Sequence, residues 1–314
     1  MIEVLCVGQL AADVLVRPVG RFDFGGDTQR VELIELSNGG DALNVAIGLS
    51  RLGCRVGFVG RIGADHWGDH LASVIEGERI DRRGLTRTAE ASTCAVIVLI
   101  SSTGERTFLY RGGANDLFGP EDVDPALVAE ASIVHVGGTY LLPRFDGEGA
   151  AALFAAARAQ GHRTSMDVTW DTRGRWLETI RPCLPHLSFF LPSIREAREI
   201  TGRQSPEEMA RFLQDCGVEN VVIKLGAEGC QVQPEGRKGF RCPAYRAQAV
   251  DTTGAGDSFV AGFLTGLVRG WRLSECARLA CAVAALNIQK VGATAGLPSY
   301  EEACRFMRGE TRKS

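Results

Sequence analysis

The chain has 314 residues, of which 45 % are hydrophobic and 23 % are charged, and its formal net charge is −3. These values are typical of a globular protein with a substantial core, and they give no reason to expect a nucleic acid or a membrane as a partner. No uncharged stretch reaches the roughly 18 residues of a membrane span. The N-terminal residues lack a basic segment and indicate a first strand rather than a signal peptide.

The ten cysteines are scattered along the chain, without a C-x-x-C pair and without a Cys/His spacing typical of zinc. Many lie within apolar runs such as VLCVG and LACAVAAL, where a free cysteine behaves as a small hydrophobic residue. We therefore expect reduced thiols and a cytoplasmic protein.

Short apolar runs alternate with longer amphipathic runs along the chain. The predicted strands are Ile2–Gly8, Arg55–Gly60, Ile133–Gly138, Arg163–Val168, Ser188–Pro192 and Asn220–Gly226. The predicted helices begin at Asp41, His66, Gly147, Pro206, Gly256 and Ser274. This alternation predicts an α/β protein whose mainly parallel sheet is covered by helices on both faces.

Two segments interrupt this alternation, Val14–Leu36 and Ser92–Tyr110. Each reads as two strands around a turn, and together they could form a small separate sheet. A sheet that covers the strand ends would act as a lid that excludes water from a reaction. Alternatively, both segments are edge strands of the main sheet, and the residues by themselves leave the two possibilities open.

The run SNGGDALNVAIGLSRLG places two glycines, Gly39 and Gly40, before a predicted helix that carries Asn44 in its first turn. The glycines would allow backbone amides to approach a ligand closely, and Asn44 would add a side-chain contact. The alternative is an ordinary tight turn into an amphipathic helix.

Two further loops follow predicted strands. In PSIREAREITG, Glu196 is a candidate metal ligand that would act through water, although a solvated helix face explains the pattern as well. In KLGAEGC, Lys224 is a candidate phosphate contact, and Gly226 and Gly229 would let a nucleotide pass over the backbone. A hairpin turn with a solvated lysine remains the alternative.

The stretch DTTGAGDSF joins a loop to a strongly apolar helix. Gly254 and Gly256 permit close approach of a ligand, and the amides of Ala255, Gly256 and Asp257 would form an anion site at the helix N-terminus. Asp257 in such a site is suited to accept a proton from an attacking hydroxyl while the amides hold a phosphoryl group. The alternative is that Asp257 or Asp251 caps the helix.

Several common catalytic motifs are absent from the sequence. None of the four lysines lies in G-x-x-x-x-G-K-[ST], and no G-x-G-x-x-G follows the first strand, which argues against P-loop and dinucleotide-binding enzymes. G-x-S-x-G and H-E-x-x-H do not occur either. His66 and His70 are predicted to lie on the surface of one helix.

Four stretches in the same order resemble the ribokinase (PfkB) family of carbohydrate and nucleoside kinases over essentially the whole chain. GGDALNVAIGLSRLG looks like the N-terminal signature of that family, and VGRIGADHWGDHL is similar to the segment that follows it. DTTGAGDSFVAGFLTGL matches the C-terminal signature, and ALNIQKVGATAGLPSYEEA resembles the C-terminal end.

The resemblance implies a single domain over residues 1–314, with a three-layer α/β/α core and a small β-sheet lid at about 14–36 and 92–110. It implies transfer of the γ-phosphoryl of ATP to a substrate hydroxyl with Mg²⁺, with Asp257 as the base. In this interpretation Thr253, Gly254, Ala255 and Gly256 form the anion hole. The resemblance also implies a dimer through the lid.

Further roles follow from the same resemblance. The residues implied for substrate binding are Asp13, Gly39, Gly40 and Asn44, with Arg111 as a further candidate. The residues implied for nucleotide binding are Lys224, Gly226, Gly229 and Thr253. Glu196 is implied for Mg²⁺, and Asp251 and Thr253 with the loop 288–296 for a monovalent cation, typically K⁺.

The sequence departs from the family pattern at two places. Ser193 stands where the N-x-x-E motif has Asn, although Glu196 is kept. In DVTWD, Asp167 is kept, but Thr169 and Asp171 replace the Asn and Arg of fructokinase-like and ketodeoxygluconate-kinase-like members. The substrate is therefore not assigned from this motif.

We expect an ATP-dependent kinase that phosphorylates a small sugar or sugar derivative. A nucleoside kinase is the alternative within the same class, and Phe22, Phe24 and Phe108 are candidates to line a base-binding slot. A sugar or nucleotide sensor without catalysis is the alternative from another class, and the presence of Asp257 argues against it.

Overall fold

The computed structural model describes residues 1–20, 25, 28–103 and 105–309. Phe22 and Phe24 lie outside the described residues. The strands are β1 (Ile2–Gly8), β2 (Ala11–Arg17), β3 (Leu33–Gly39), β4 (Val56–Gly63), β5 (Asp81–Thr88), β6 (Ala95–Ile100), β7 (Arg106–Arg111), β8 (Ala131–Thr139), β9 (Arg163–Val168), β10 (Phe189–Phe190), β11 (Asn220–Lys224), β12 (Cys230–Gln233) and β13 (Phe240–Cys242). The helices are α1 (Asp41–Arg51), α2 (His66–Gly77), α3 (Pro125–Glu130), α4 (Glu148–Ala159), α5 (Leu177–Ile180), α6 (Ile194–Thr201), α7 (Pro206–Asp215), α8 (Ala255–Val268), α9 (Leu273–Asn287) and α10 (Tyr300–Met307).

The larger sheet has nine strands in the order β13-β12-β11-β10-β9-β8-β1-β4-β5. All neighbours from β5 to β11 pair in parallel, whereas β11–β12 and β12–β13 are antiparallel. The central strands are almost entirely buried because helices cover both faces. The mainly parallel sheet predicted from the sequence is thereby confirmed.

Alternate residues of β1 divide the core into two layers. Val4 and Cys6 belong to a cluster with buried residues of α1, α2, α8 and α9. Leu5 and Val7 belong to a second cluster with buried residues of α3, α4, α6 and α7. Because successive side chains of a strand point to opposite faces, helices pack on both sides of the sheet, and the core has the predicted three layers.

The smaller sheet is separate and has the order β3-β2-β6-β7. It consists of two antiparallel hairpins, β2–β3 and β6–β7, that are joined by a parallel pair between β2 and β6. The alternative that these segments are edge strands of the main sheet is therefore wrong. Part of one face of the small sheet is buried in a separate cluster, which contains Ala11, Leu15, Val96 and Val98.

Three strands of the larger sheet, β5, β12 and β13, were not predicted from the sequence. Strand β5, with the sequence DRRGLTRT, lies at a sheet edge and carries charged residues, so it lacks an apolar run. Strands β12 and β13 have four and three residues, too few for a periodic pattern to be recognised. None of the helices within the described ranges combines the length and the apolar character that crossing a membrane requires.

Helices α8 and α9 approach each other closely at Gly262. A Cβ atom at this position would lie 2.8 Å from the Cα and 3.1 Å from the backbone nitrogen of Ala280. Backbone atoms cannot move aside as a flexible side chain can, so the close approach of the two helices depends on this glycine.

We predict that Gly262→Ala lowers the free energy of unfolding by about 1–3 kcal/mol, because the added methyl group forces the two helices apart. Urea unfolding measures the change. Gly77→Ala in α2 is the matched control, since a Cβ atom there would meet nothing within 4 Å. A control variant that is destabilised as strongly as Gly262→Ala would contradict this explanation.

Candidate active site

The N-terminus of α8 carries no side-chain cap, although the amide of Ala255 donates a hydrogen bond of 3.2 Å to the backbone oxygen of Thr252. The residue before the helix is Gly254, which has a φ angle of 68° and no side chain that could cap the helix. A Cβ atom at Gly254 would lie 2.2 Å from the backbone oxygen of Ala293. The turn therefore requires glycine both for its left-handed conformation and for the contact with the neighbouring loop.

Asp257 lies in the first turn of α8 but does not cap it. Its Oδ2 accepts a hydrogen bond of 2.8 Å from Nδ2 of Asn44, which lies in the first turn of α1. Asn44 Oδ1 in turn accepts from Asn38 Nδ2 at 3.0 Å, and Asn38 Oδ1 accepts from Thr294 at 3.3 Å. This chain of hydrogen bonds fixes the orientation of the Asp257 carboxylate. The sequence analysis did not identify Asn38 or Thr294.

Burial is the main cause that raises the pKa of Asp257 to about 6. The hydrogen bond from Asn44 and the charge of Lys224 act in the opposite direction, whereas Asp167 and Glu196 raise the pKa further. A carboxyl group with a pKa of this size can exchange a proton near neutral pH, which is what a general base requires.

Asp13, in β2, lies against β3 at the place where Gly39 leaves room for its carboxylate. A Cβ atom at Gly39 would lie only 2.1 Å from Asp13 Oδ1. This oxygen is buried and has no hydrogen-bond partner among the described residues. Burial, together with the charge of Asp257, raises the pKa of Asp13 to about 7. An unpaired buried oxygen of this kind is suited to a ligand hydroxyl.

Gly40 precedes α1 with φ 92°, and a Cβ atom there would lie 2.5 Å from the Cα of Leu10. The Gly-Gly pair thus brings the start of α1 against the end of β1. This geometry places Asn44 beside Asp257 although the two residues are 213 positions apart in the chain.

Lys224 is buried, so the alternative that it is a solvated lysine is wrong. Its Nζ lies 2.6 Å from Asp167 Oδ2, and the two side chains are 12 % and 4 % exposed. A Cβ atom at Gly256 would lie 3.3 Å from Lys224 Nζ, so the ammonium group stands beside the first turn of α8. Burial lowers the pKa of Lys224, but Asp167 and Glu196 outweigh it and raise the pKa above its usual value.

Ser193 and Glu196 form the N-terminal capping box of α6. The Ser193 hydroxyl accepts from the Glu196 amide at 3.3 Å, and Glu196 Oε2 accepts from the Ser193 amide at 2.7 Å. Serine therefore preserves the helix cap at the position where the family motif has asparagine. On the same helix, the Arg195 guanidinium lies 5.0 Å from the ring centre of Trp170.

Asp41, the first residue of α1, is a fifth acid of the site that the sequence analysis did not single out. Burial and the charges of Asp257 and Asp167 raise its pKa well above the usual range. The acids of this site are Asp13, Asp41, Asp167, Glu196 and Asp257, and Lys224 is the cation that acts on the last four. The site thus carries more negative than positive groups, which leaves it suited to a cation.

The donor set fits Mg²⁺. This ion binds through one or two carboxylates together with water and substrate phosphates, and Glu196 and Asp167 offer oxygens beside the helix N-terminus. Burial raises the pKa of Glu196, and the neighbouring charge of Asp167 adds to the shift. A divalent cation would offset this uncompensated negative charge.

The two glycines of the KLGAEGC turn have different surroundings. Gly226 has φ 61°, and a Cβ atom there would meet nothing within 4 Å, so its outer side is open to a ligand. Gly229 has φ 93°, but a Cβ atom would lie 2.0 Å from the backbone oxygen of Cys242. The β11–β12 hairpin and its packing on β13 therefore require Gly229 for structural reasons.

Asp251 and Thr253 form a compact turn before α8. Asp251 Oδ1 accepts from the Thr253 amide at 2.8 Å and from its hydroxyl at 2.7 Å, and Oδ2 accepts from the Gly292 amide at 2.8 Å. The same carboxylate is paired with Arg106 of β7 at 2.9 Å. The group that the resemblance assigns to a monovalent cation therefore already has a cationic partner.

Arg111 is separated from the other predicted substrate residues. In the register of the small sheet, Ala12, Ala95 and Arg111 are aligned on one face, whereas Asp13, Val96 and Tyr110 are aligned on the other. The exposed Arg111 therefore points away from the face that carries Asp13.

Asp171, which stands where fructokinase-like members have an arginine, stabilises the loop that follows it. Its Oδ2 accepts from the amides of Arg175 and Trp176 at 2.6 and 2.7 Å, and its Oδ1 accepts from Arg173 at 2.8 Å. A carboxylate that accepts three backbone hydrogen bonds fixes a turn, and we assign it no contact with a ligand.

Three cysteines that are distant in the sequence meet beside the β11–β12 hairpin. The sulfur atoms of Cys230, Cys242 and Cys281 all lie within 4.8 Å of one another, and the three residues are buried. The sequence spacing did not reveal this cluster because its members come from β12, β13 and α9. It packs the hairpin that carries Gly229 against α9.

Comparisons with known proteins identify the family of this chain. Residues 1–300 match the family described as pfkB family carbohydrate kinase. An "Uncharacterized sugar kinase" from Archaeoglobus fulgidus is 30 % identical over 80 % of this chain and 98 % of its own. "Probable fructokinase-4" from Arabidopsis thaliana is 30 % identical over 86 % of this chain and 87 % of its own.

Solved structures of ribokinases have the same fold. The structure of Arabidopsis thaliana ribokinase complexed with ribose and ATP is similar with a TM-score of 0.84 and 25 % identity, over 98 % of this chain and 99 % of that chain. Ribokinase from Thermotoga maritima is similar with a TM-score of 0.84 and 24 % identity, over 98 % of this chain and 100 % of that chain. At 24 % identity, the similarity to the Thermotoga maritima structure supports the fold alone.

Proposed function

We propose that this chain, which belongs to the pfkB family of carbohydrate kinases, transfers the γ-phosphoryl group of ATP to a hydroxyl of a small uncharged sugar. The observation that carries the proposal is Asp257, an acid with a pKa near 6 in an uncapped helix N-terminus, oriented by Asn44. An acid has little purpose in an anion site unless it accepts the proton that the reaction releases.

The reaction follows from the positions of these groups. Asp257 accepts the proton of the substrate hydroxyl, and the oxygen forms a bond to the γ-phosphorus as the bond to ADP breaks and ADP takes the electron pair. The amides at Gly254, Gly256 and Asp257 stabilise charge on the transferring group, whereas the Ala255 amide is donated to the backbone oxygen of Thr252. Lys224 adds a positive charge beside the same turn.

Mg²⁺ bound through Glu196, with Asp167 nearby, would neutralise charge on the phosphates of ATP. The open side of Gly226 would receive the nucleotide. The unpaired Oδ1 of Asp13 and the amides at Gly39 and Gly40 would bind hydroxyls of the sugar.

An uncharged substrate is favoured by the five acids of the site. A sugar acid would bring a further carboxylate close to Asp257, whose pKa of about 6 leaves it ionised at neutral pH, and like charges that meet in a partly desolvated site repel each other strongly. Neutral hydroxyls can instead donate hydrogen bonds to carboxylates, which accept them well.

We also propose that the small sheet acts as the lid of this site. It supplies Asp13 on one face, and the same face bears the exposed aromatic side chains of Phe108 and Tyr110. These rings favour a nucleoside as the second candidate substrate, since a base stacks on aromatic side chains. All ten cysteines are free, which suits a reducing compartment, and we place the protein in the cytoplasm.

We predict that Asp257→Asn lowers the rate of sugar phosphorylation about 10²–10⁴-fold, which is the usual contribution of a general base. The assay measures ADP formation from Mg-ATP with a panel of pentoses, hexoses, sugar acids and nucleosides. Ser299→Ala, which removes the cap of the distant helix α10, is the matched control and keeps full activity. If Asp257→Asn proved as active as the wild type, the assignment of Asp257 as the base would be refuted.

The pH dependence of kcat/KM tests the state of the base. Because Asp257 must be ionised to accept a proton and its pKa is raised to about 6, we predict that kcat/KM falls about tenfold per pH unit below pH 6 and levels off above it. In Asn44→Ala the hydrogen bond that holds the pKa down is lost, so the fall begins at a higher pH. A wild-type profile that stays level down to about pH 4.5 would be incompatible with this role.

We further propose a homodimer through the outer face of the small sheet. The side chains on this face that are large, apolar and exposed are Ile34, Leu36, Ile97 and Leu109. A contiguous apolar patch of this kind marks an interaction surface, and two copies of one sheet face can meet about a twofold axis.

Light scattering coupled to size-exclusion chromatography tests the dimer. We predict a dimer mass for the wild type and a monomer mass for Ile34→Glu/Ile97→Glu, because the buried charges would lack partners. Phe108→Glu, on the opposite face of the same sheet, is the matched control and remains dimeric. A monomeric wild type at micromolar concentration would exclude this interface.

A further inference from the structure

Arg106, which the sequence did not single out, reaches from the small sheet to the loop before α8. Its Nη1 lies 2.9 Å from Asp251 Oδ1, and its Nη2 donates a hydrogen bond of 3.0 Å to Thr252 Oγ1. The side chains of Arg106 and Asp251 are only 15 % and 7 % exposed. Little water therefore screens this pair. Two nitrogens of one guanidinium contact neighbouring residues of the turn, Asp251 and Thr252.

With Arg106 in place, Oδ1 of Asp251 contacts three donor atoms and Oδ2 contacts one. The carboxylate accepts two hydrogen bonds from Thr253 and one from the Gly292 amide, and its Oδ1 is ion-paired with Arg106. Two carboxylate oxygens provide about four acceptor positions. Burial raises the pKa of Asp251, but these hydrogen bonds and the charge of Arg106 outweigh it and hold the pKa below its usual value, so the group is an anion.

Carbonyl groups of the adjoining loop are also engaged. The oxygen of Ile288 accepts from the amides of Val250 and Asp251 at 2.8 and 3.1 Å, and the oxygen of Ala293 accepts from Asn287 Nδ2 at 2.7 Å. A monovalent cation at Asp251 would compete with these donors and would stand beside a guanidinium of like charge. The residues present therefore do not fit K⁺ at this carboxylate.

We propose that the Arg106 guanidinium is the built-in cation of this turn, so that the anion-binding N-terminus of α8 is positioned without K⁺. This inference rests on the proposed kinase function, because the turn from Asp251 to Gly254 leads directly into the amides that would bind the phosphoryl group. Since Arg106 belongs to β7, the same contact ties the small sheet to this turn. Arg106 is thus a positioning residue that acts through Asp251.

The first test compares ADP formation in potassium and sodium buffers of equal ionic strength. The wild type is expected to be equally active in both. Arg106→Met is expected to lose about tenfold in sodium, the effect of one charge-assisted hydrogen-bonded pair, and to recover in potassium or with millimolar guanidinium. Arg87→Met is the matched control, because Arg87 pairs with Asp69 at the surface. Activation of the wild type by potassium would overturn the proposal.

The second test needs no catalysis. Thermal unfolding is measured in potassium and sodium chloride at equal concentration, without nucleotide. Arg106→Met is expected to unfold at a higher temperature in potassium than in sodium, whereas the wild type shows no difference. A variant that responds to neither potassium nor guanidinium in either assay would show that Arg106 is only a structural tether and would overturn the proposal.

The two assays also separate this inference from the proposed function. If no substrate yields ADP but Arg106→Met is stabilised specifically by potassium, the kinase proposal fails and the role of Arg106 stands. Arg106→Lys keeps a positive charge at Asp251 and serves if the methionine variant does not fold. Its activity is expected to be the same in both salts, and a lysine variant that depends on potassium would contradict the role of the fixed charge.

Discussion

The arrangement of this site depends on one buried acid at the positive end of a helix. Asp257 is stable there because Asn44 donates a hydrogen bond to it and Lys224 stands nearby. The donor comes from α1 and the acid from α8, so the distance between these two helices has to be fixed. They are in close contact one turn further along, where a Cβ atom at Gly48 would lie 2.6 Å from the Cβ of Ala261. Core packing thus sets the geometry of a polar contact.

The other charges of the site follow from this arrangement. Burial raises the pKa of Asp257, Asp167 and Glu196, and neighbouring acids add to the shifts of Asp257 and Glu196. Lys224 balances only part of this charge. The cluster is therefore incomplete by itself, and a divalent cation would favour the ionised form of all three carboxylates. Burying several carboxylates without enough positive charge costs free energy in the ligand-free site. The same carboxylates suit the site to the metal complex of a nucleotide.

The sequence predicted local features well and distant contacts poorly. Glycine and acid spacing predicted the turn at Gly254 and the helix that follows, because both depend on neighbouring residues. The resemblance brought Asn44 and Asp257 to one site, which periodicity could not do across 213 positions. Asp41, Arg106 and the three clustered cysteines were missed because nothing in their local patterns distinguishes them from a capping acid, a solvated strand residue and core hydrophobes.

Strand alternation links the remaining parts of the site. Asp13 and Arg106 lie on the same face of the small sheet, and one faces Asp257 while the other binds Asp251. Any displacement of the sheet therefore moves the proposed sugar contact and the proposed cation of the phosphoryl-binding turn together. Because the opposite face is aliphatic and exposed, a partner that covers it would restrain the same displacement. In the proposed function, substrate binding, alignment of the turn and assembly would thus be coupled through four short strands.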